Sequence, residues 1–168
     1  VINMPLLFIL KNSNYFKIEG KTFKDFMNGK LLKIGTEPDI ADFKNHLSTI
    51  FTEVRLKQYI EIRSLDTCEW DCHCGGPAFY TGLLYGALDE ALDIINKWKI
   101  SDVLNAYANA PKKGLNTIIN NKTVLDWAKF FLNLSKKGLN KRSIQNNSGR
   151  DESIFLKTVE NILTNNKT

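Results

Sequence analysis

From Val54 to Arg63 apolar and polar side chains alternate, and this run constrains the fold more than any other stretch of the chain. Successive side chains of a β-strand face opposite sides of a sheet, so a period of two assigns each residue to a face. Val54, Leu56, Ile60 and Ile62 fall on one face; Arg55, Lys57, Tyr59, Glu61 and Arg63 fall on the other. Read as one continuous strand, the run is roughly 30 Å long at ~3.3 Å per residue. Its apolar face is expected to bury against a core. Its other face lines up three cations, a carboxylate and a phenol. On a concave wall such a row handles anions; on a convex surface it is a solvated set of strand charges.

The 168 residues suit one compact domain or one lobe of a larger one. Hydrophobic residues make up 43% and charged residues 24%, a balance that supports a folded core. The net charge of +5 attracts phosphates or nucleotides, but basic residues are not interleaved with aromatics as on a nucleic-acid face. Neither a nucleic-acid partner nor a membrane is expected: no segment is apolar over a bilayer-spanning length. Pro5–Leu10 lacks the basic leader and cleavage-like tail of a signal peptide. The chain opens on Val1, which suggests an excerpt or a processed product.

The first part reads as strand-rich. Leu6–Leu10 and Tyr15–Ile18 form a hairpin about Asn12-Ser13-Asn14, closed by Gly20. Thr22 caps a short helix, Phe23–Asn28, stopped by Gly29. Glu37-Pro38-Asp39 starts a second helix, Ile40–Ser48, with Phe43 and Leu47 on one face. After Asp66 the pattern turns helical. Pro77 sits in the first turn of a helix through Ala87. Asp89–Lys99 repeats Ala91, Leu92, Ile95 and Trp98 at helical spacing. Asp102–Ala110 ends before Pro111. Thr123 caps Val124–Lys137, with Gly138 as the stop, and Asp151-Glu152 opens Ser153–Leu163. Lys141–Arg150 is expected as an exposed loop and Asn165–Thr168 as a frayed end. Strands first and helices afterwards indicate an α+β fold. Residues 1–70 form its sheet-forming part and 71–168 its helical part.

The three cysteines, Cys68, Cys72 and Cys74, lie with His73 in one short stretch. Zinc sites draw their ligands from two separated pairs, which disfavours a metal here. Redox chemistry between two of the thiols is an alternative. Idle thiols in a reducing, cytoplasmic setting are the default. His46, at a helix end, reads as a capping or core histidine.

Four stretches together resemble the C-terminal part of glutamate–cysteine ligase, in its plant and proteobacterial branch. They are Met4-Pro5 with the strands behind it, TFKDFMNGKL at Thr22–Leu31, NHLSTIFTEVRLKQYIEIRSLD at Asn45–Asp66, and PAFYTGLLY at Pro77–Tyr85. GLN at Gly138 and GRDESIFL at Gly149–Leu156 extend the likeness over essentially the whole chain. The resemblance implies a glutamine-synthetase-like fold, with an antiparallel sheet curved around the active site and a helical region after it. The polar face of Val54–Arg63 would then be the wall of a funnel, and its apolar face would pack on helices.

By the same resemblance Glu61 matches a carboxylate that binds an active-site magnesium, and Arg63 an arginine that contacts the transferred phosphate. Trp70 stands where the family carries a substrate-contacting tryptophan. Arg55 adds positive potential and is a weaker substrate-binding candidate. A carboxylate oxygen suits Mg²⁺, and a guanidinium grips phosphoryl oxygens in two places. The implied reaction has ATP phosphorylate the γ-carboxylate of glutamate, after which the amine of cysteine displaces phosphate. The family's other metal-binding glutamates have no counterpart in residues 1–50, so the resemblance implies an N-terminal half on the same or another chain. Two other readings stand beside the ligase: a catalytically incomplete remnant or non-catalytic subunit that binds a partner, and an anion-binding module without chemistry.

Overall fold

The structure, a computed structural model, describes residues 1–31 and 34–165. It divides into two compact units, Val1–Ser64 and Leu65–Thr168.

The first unit begins with the hairpin β1 (Phe8–Lys11) and β2 (Asn14–Lys17), in which Lys11 lies opposite Asn14. Asn12 and Ser13 both adopt positive φ, the conformation whose twist matches flanking strands in a two-residue turn. Thr22 then caps α1 (Phe23–Met27). Its hydroxyl accepts from the Asp25 N–H, and the Asp25 carboxylate accepts from the Thr22 N–H, so two orphan helix-end donors are satisfied. Gly29, at φ +69°, turns the chain out of this helix.

The helix α2 (Ile40–Ser48) has the predicted bounds, with Asp39 and Asp42 forming a second capping box. Lys11 reaches from β1 to both aspartates, at 2.8 and 2.6 Å. Leu6, Ile9, Phe23, Phe26 and Ile34 make the core of this unit, with Phe43 packed on it. His46 is a core residue: it is 2% exposed and stacks on Phe23 at 5.0 Å.

The long strand expected from Val54 to Arg63 is instead a second hairpin, β3 (Val54–Leu56) and β4 (Ile60–Ile62), turning at residues 57–59. A lone ten-residue strand leaves its backbone groups without partners; folding back pairs them within the run. The assignment of residues to faces survives, because Val54 opposes Ile62, Leu56 opposes Ile60 and Arg55 opposes Glu61. The apolar face, however, is not buried. Leu56 is 81% exposed and Ile60 64%.

The second unit is built on the crossing of α3 (Gly75–Gly86) and α6 (Val124–Arg142). Gly138 was expected to stop α6, but the helix runs on to Ser143, whose left-handed backbone ends it. A side chain at Gly138 would strike the carbonyl of Gly82, and one at Gly86 would strike Gly138. Gly138 is therefore a contact residue, where two helix backbones touch. Between α3 and α6 run α4 (Leu88–Ile95), α5 (Ile100–Lys113) and the small hairpin β5 (Ile118–Ile119) and β6 (Lys122–Thr123).

Pro111 does not end α5. It sits in the last turn, and the helix closes at Gly114, whose N–H donates to Ala110. The β5–β6 hairpin was not expected; it turns on Asn120-Asn121, both at positive φ. Trp98 lies past the end of α4 and packs on Trp127 at 4.9 Å. Polar residues 143–150 connect α6 to a 3₁₀ turn, Glu152–Leu156, and to α7 (Lys157–Asn165). Asn165 thus ends a helix, and 166–168 lie outside the described residues. The core gathers Ala78, Leu132, Leu139, Leu156 and Leu163. Short antiparallel hairpins with separate helices make the chain α+β. No helix among the described residues is long and apolar enough to cross a membrane.

Candidate functional site

The β3–β4 hairpin gathers charge by register. Arg55 and Glu61 are direct cross-strand partners, and Arg55 Nε donates to Glu61 Oε2 at 2.7 Å. The register sets this pair, because opposed residues on one face lie within side-chain reach. Lys57, at the turn, brings Nζ to 3.8 Å from the same oxygen. Arg63, two residues beyond Glu61, places its guanidinium 3.8 Å from Oε1. The carboxylate of Glu61 and the guanidinium of Arg63 therefore project on one side of the hairpin, together with two further cations.

All four side chains keep partial contact with solvent. The Arg55 and Arg63 side chains are 24% exposed, Glu61 30% and Lys57 44%. The Arg63 guanidinium lies 5.4 Å above the ring of Phe51, and Lys57 Nζ lies 5.8 Å from the Tyr59 ring. The Arg55 hydrogen bond, supported by the charges of Arg55, Lys57 and Arg63, holds Glu61 below its ordinary carboxylate value. In return, the bond to Glu61 raises Arg55. The cluster gathers three cationic side chains, Arg55, Lys57 and Arg63, around the Glu61 carboxylate. Such a face draws an anion, and arginine forks suit phosphoryl or carboxylate oxygens.

A magnesium ion does not fit these residues by themselves. Mg²⁺ demands an octahedral set of oxygens, and the one carboxylate here is already engaged by Arg55. Among the described residues no group of three or more His, Cys, Asp or Glu side chains is arranged to hold a metal. The cysteine cluster is no exception.

Trp70 belongs to the second unit. It opens a single 3₁₀ turn, Trp70–Cys72, stands 86% exposed and stacks on His73 at 6.0 Å. Cys68 and Cys72 are joined in a disulfide, and Cys74 is free and exposed. This corrects the expectation of idle thiols: two cysteines four residues apart lie on one tight turn and meet. The turn borders a cavity of about 330 Å³, lined largely by apolar residues such as Leu65, Phe79, Leu132 and Val159. That recess lacks the charge that the hairpin face carries.

Alternation placed Arg55, Glu61 and Arg63 on one face, and the family resemblance, not the alternation, singled out Glu61 and Arg63. The third cation on Glu61, Lys57, and the ring under Arg63, Phe51, were missed as site residues. Lys57 had been counted on the polar face, but its approach depends on where the chain turns. Phe51 lies outside the alternating run altogether.

Comparison with known proteins places these features in a lineage. The pattern of glutamate-cysteine ligase family 2 (GCS2) matches residues 11–166. The chain is 36% identical to a protein of Solanum lycopersicum named chloroplastic glutamate–cysteine ligase, over 96% of this chain and 30% of that relative. It is 36% identical to chloroplastic glutamate–cysteine ligase A of Oryza sativa subsp. indica, over 99% of this chain and 33% of the relative. The corresponding Arabidopsis thaliana protein is 34% identical over 96% of this chain. The chain thus spans about a third of the length of the relatives it matches. The expectation of a cytoplasmic setting is overturned by these relatives, each of which is named chloroplastic.

Proposed function

The chain belongs to glutamate-cysteine ligase family 2, and from that premise we propose that it supplies one part of an ATP-dependent ligase joining the γ-carboxylate of glutamate to the amine of cysteine. The observation that carries the reading is the shared face of Glu61 and Arg63, ringed by Arg55 and Lys57. In the proposed reaction ATP transfers its terminal phosphoryl group to the glutamate carboxylate. The amine of cysteine then attacks the acyl phosphate, and phosphate leaves. Arg63 grips phosphoryl oxygens through its guanidinium fork and offsets the charge that spreads over them. Arg55 and Lys57 add positive potential, so the polyanion meets a face prepared for it. Trp70, in the second unit, is proposed separately as a substrate-packing residue because its ring is exposed.

Magnesium, when bound in a ligase of this kind, neutralises phosphate charge. Glu61 is proposed as a single oxygen donor toward it, with the remaining donors outside this chain. The bare apolar face of Val54, Leu56 and Ile60, and the outer edges of β3 and β4, which pair with no further strand among the described residues, support a further reading. The hairpin is two strands of a larger antiparallel sheet of the glutamine-synthetase kind, completed by the rest of the polypeptide.

The test is phosphate release that depends on ATP, glutamate and cysteine together, measured on the full-length polypeptide containing this chain. Glu61→Gln and Arg63→Ala are each expected to abolish it. Retained activity in both variants would remove the hairpin from the active site. A second reading is a subunit that binds a partner without catalysis; the exposed apolar face of the hairpin offers it a contact surface. It predicts a stable complex with the N-terminal portion and no turnover.

A further inference from the structure

The Glu61 carboxylate lies within 2.7–3.8 Å of all three cations of this face. In this arrangement one of its two oxygens is taken up by the Arg55 hydrogen bond. We infer that Glu61 is an internal counter-ion which an incoming polyphosphate must displace, so that it sets the selectivity of this face for multiply charged anions. The inference deepens the ligase reading and rests on the same face, but its consequences are binding events that need neither turnover nor magnesium.

Glu61 and an incoming anion compete for the same cations. The cations can satisfy the oxygens of Glu61 or those of a ligand, and the Glu61 carboxylate is tethered, always present and already hydrogen-bonded by Arg55. A singly charged anion gains little in competition with it, since Glu61 already holds the Arg55 hydrogen bond and offsets part of the charge of Lys57 and Arg63 at 3.8 Å. A tripolyphosphate chain carries several charges and enough oxygens to engage Arg55, Lys57 and Arg63 together. It therefore gains contacts that one carboxylate cannot supply. Partial exposure of all four side chains leaves the exchange accessible to solvent and ligand. Once the cations turn to the ligand, the Glu61 oxygens are released beside bound phosphate, where a dication is attracted instead of repelled.

This reading gives Glu61→Gln the sign opposite to that of a simple ligand-holding residue. The experiment is isothermal titration of the 168-residue chain with tripolyphosphate, inorganic phosphate and acetate in metal-free buffer. Wild type is expected to bind tripolyphosphate and to discriminate against phosphate and acetate. Glu61→Gln is expected to bind tripolyphosphate about tenfold more tightly and to lose part of that discrimination. Arg55→Gln combined with Arg63→Gln is expected to weaken tripolyphosphate binding. Equal or weaker binding by Glu61→Gln would overturn the inference, as would wild-type binding only when magnesium is added. A measurement on wild type guards against a variant that fails to fold: the Arg55 Nε–H resonance should move as tripolyphosphate is added, and an unmoved signal at saturation counts against displacement. Failure here leaves the phosphate-release test of the ligase intact, and failure of that test leaves this competition standing.

Discussion

Gly138 of α6 and Gly82 of α3 meet backbone to backbone: a Cβ added to Gly138 would strike the carbonyl of Gly82. Ser135, one turn earlier on α6 and fully buried, donates its hydroxyl to the carbonyl of Phe79 at 2.8 Å. The helices cross at a distance that only a missing side chain permits. Gly138→Ala must push them apart, and the atoms it meets are backbone, which has little freedom to shift. The expected loss is about 2–3 kcal/mol of unfolding free energy, at the upper end for overpacked cores. Chemical denaturation of wild type and variant checks it; a change within 0.5 kcal/mol, the scatter of surface substitutions, would contradict the contact.

Thr123 accepts from the N–H of Asp126 at the start of α6, while the Asp126 carboxylate accepts from the Thr123 N–H. Thr123→Ala removes the cap from the longest helix of the chain and should cost about 1 kcal/mol. Thr123→Ser keeps the oxygen and should recover most of it. Thermal melts of the pair separate loss of the cap from loss of a methyl group.

Acid should weaken the chain through its capping aspartates. The Lys30 hydrogen bond and the Thr22 groups hold Asp25 well below the ordinary carboxylate range; Lys11 lowers Asp39, and Thr123 lowers Asp126. A carboxylate depressed in the folded state stabilises fully above its unfolded value. Its contribution is lost as pH falls through the folded one. Stability should therefore hold above about pH 4 and decline below it. Asp25→Asn combined with Asp126→Asn should flatten that decline, as read from denaturant midpoints at stepped pH. An equally steep decline in the double variant would assign acid sensitivity to other groups.

Only Cys74 is a free thiol among the three cysteines. Alkylation of the folded, unreduced chain should modify one residue. Prior reduction should raise this to three, with peptide mass mapping assigning the pair to Cys68 and Cys72. Three modified cysteines without reduction would remove the bridge.

Local chemistry was read well from the sequence. The bounds of α2 and the caps at Thr22, Asp39 and Thr123 follow from side chains within three residues of the helix start, and these interactions are visible in a linear text. Long-range meaning was not. Gly138 carries the signal of a helix stop, yet its reason lies in Gly82, far away along the chain. Pro111 was read as a terminator, although a proline in the last turn removes only one helical hydrogen bond, and Gly114 closes the helix. The alternation of Val54–Arg63 fixed which residues share a face but could not reveal the turn, because a hairpin preserves the same parity. The charged face was thus legible in its composition, whereas the approach of Lys57 to Glu61 was not.

The four charges of the cluster fall within nine consecutive residues, Arg55–Arg63, around a connection at 57–59. The pattern is therefore transmitted as one short cassette whose spelling tolerates exchange but whose length does not. Inserting or deleting a single residue before Ile60 would slip the register and send Glu61 to the side opposite Arg55, dismantling the cluster without altering any of its members.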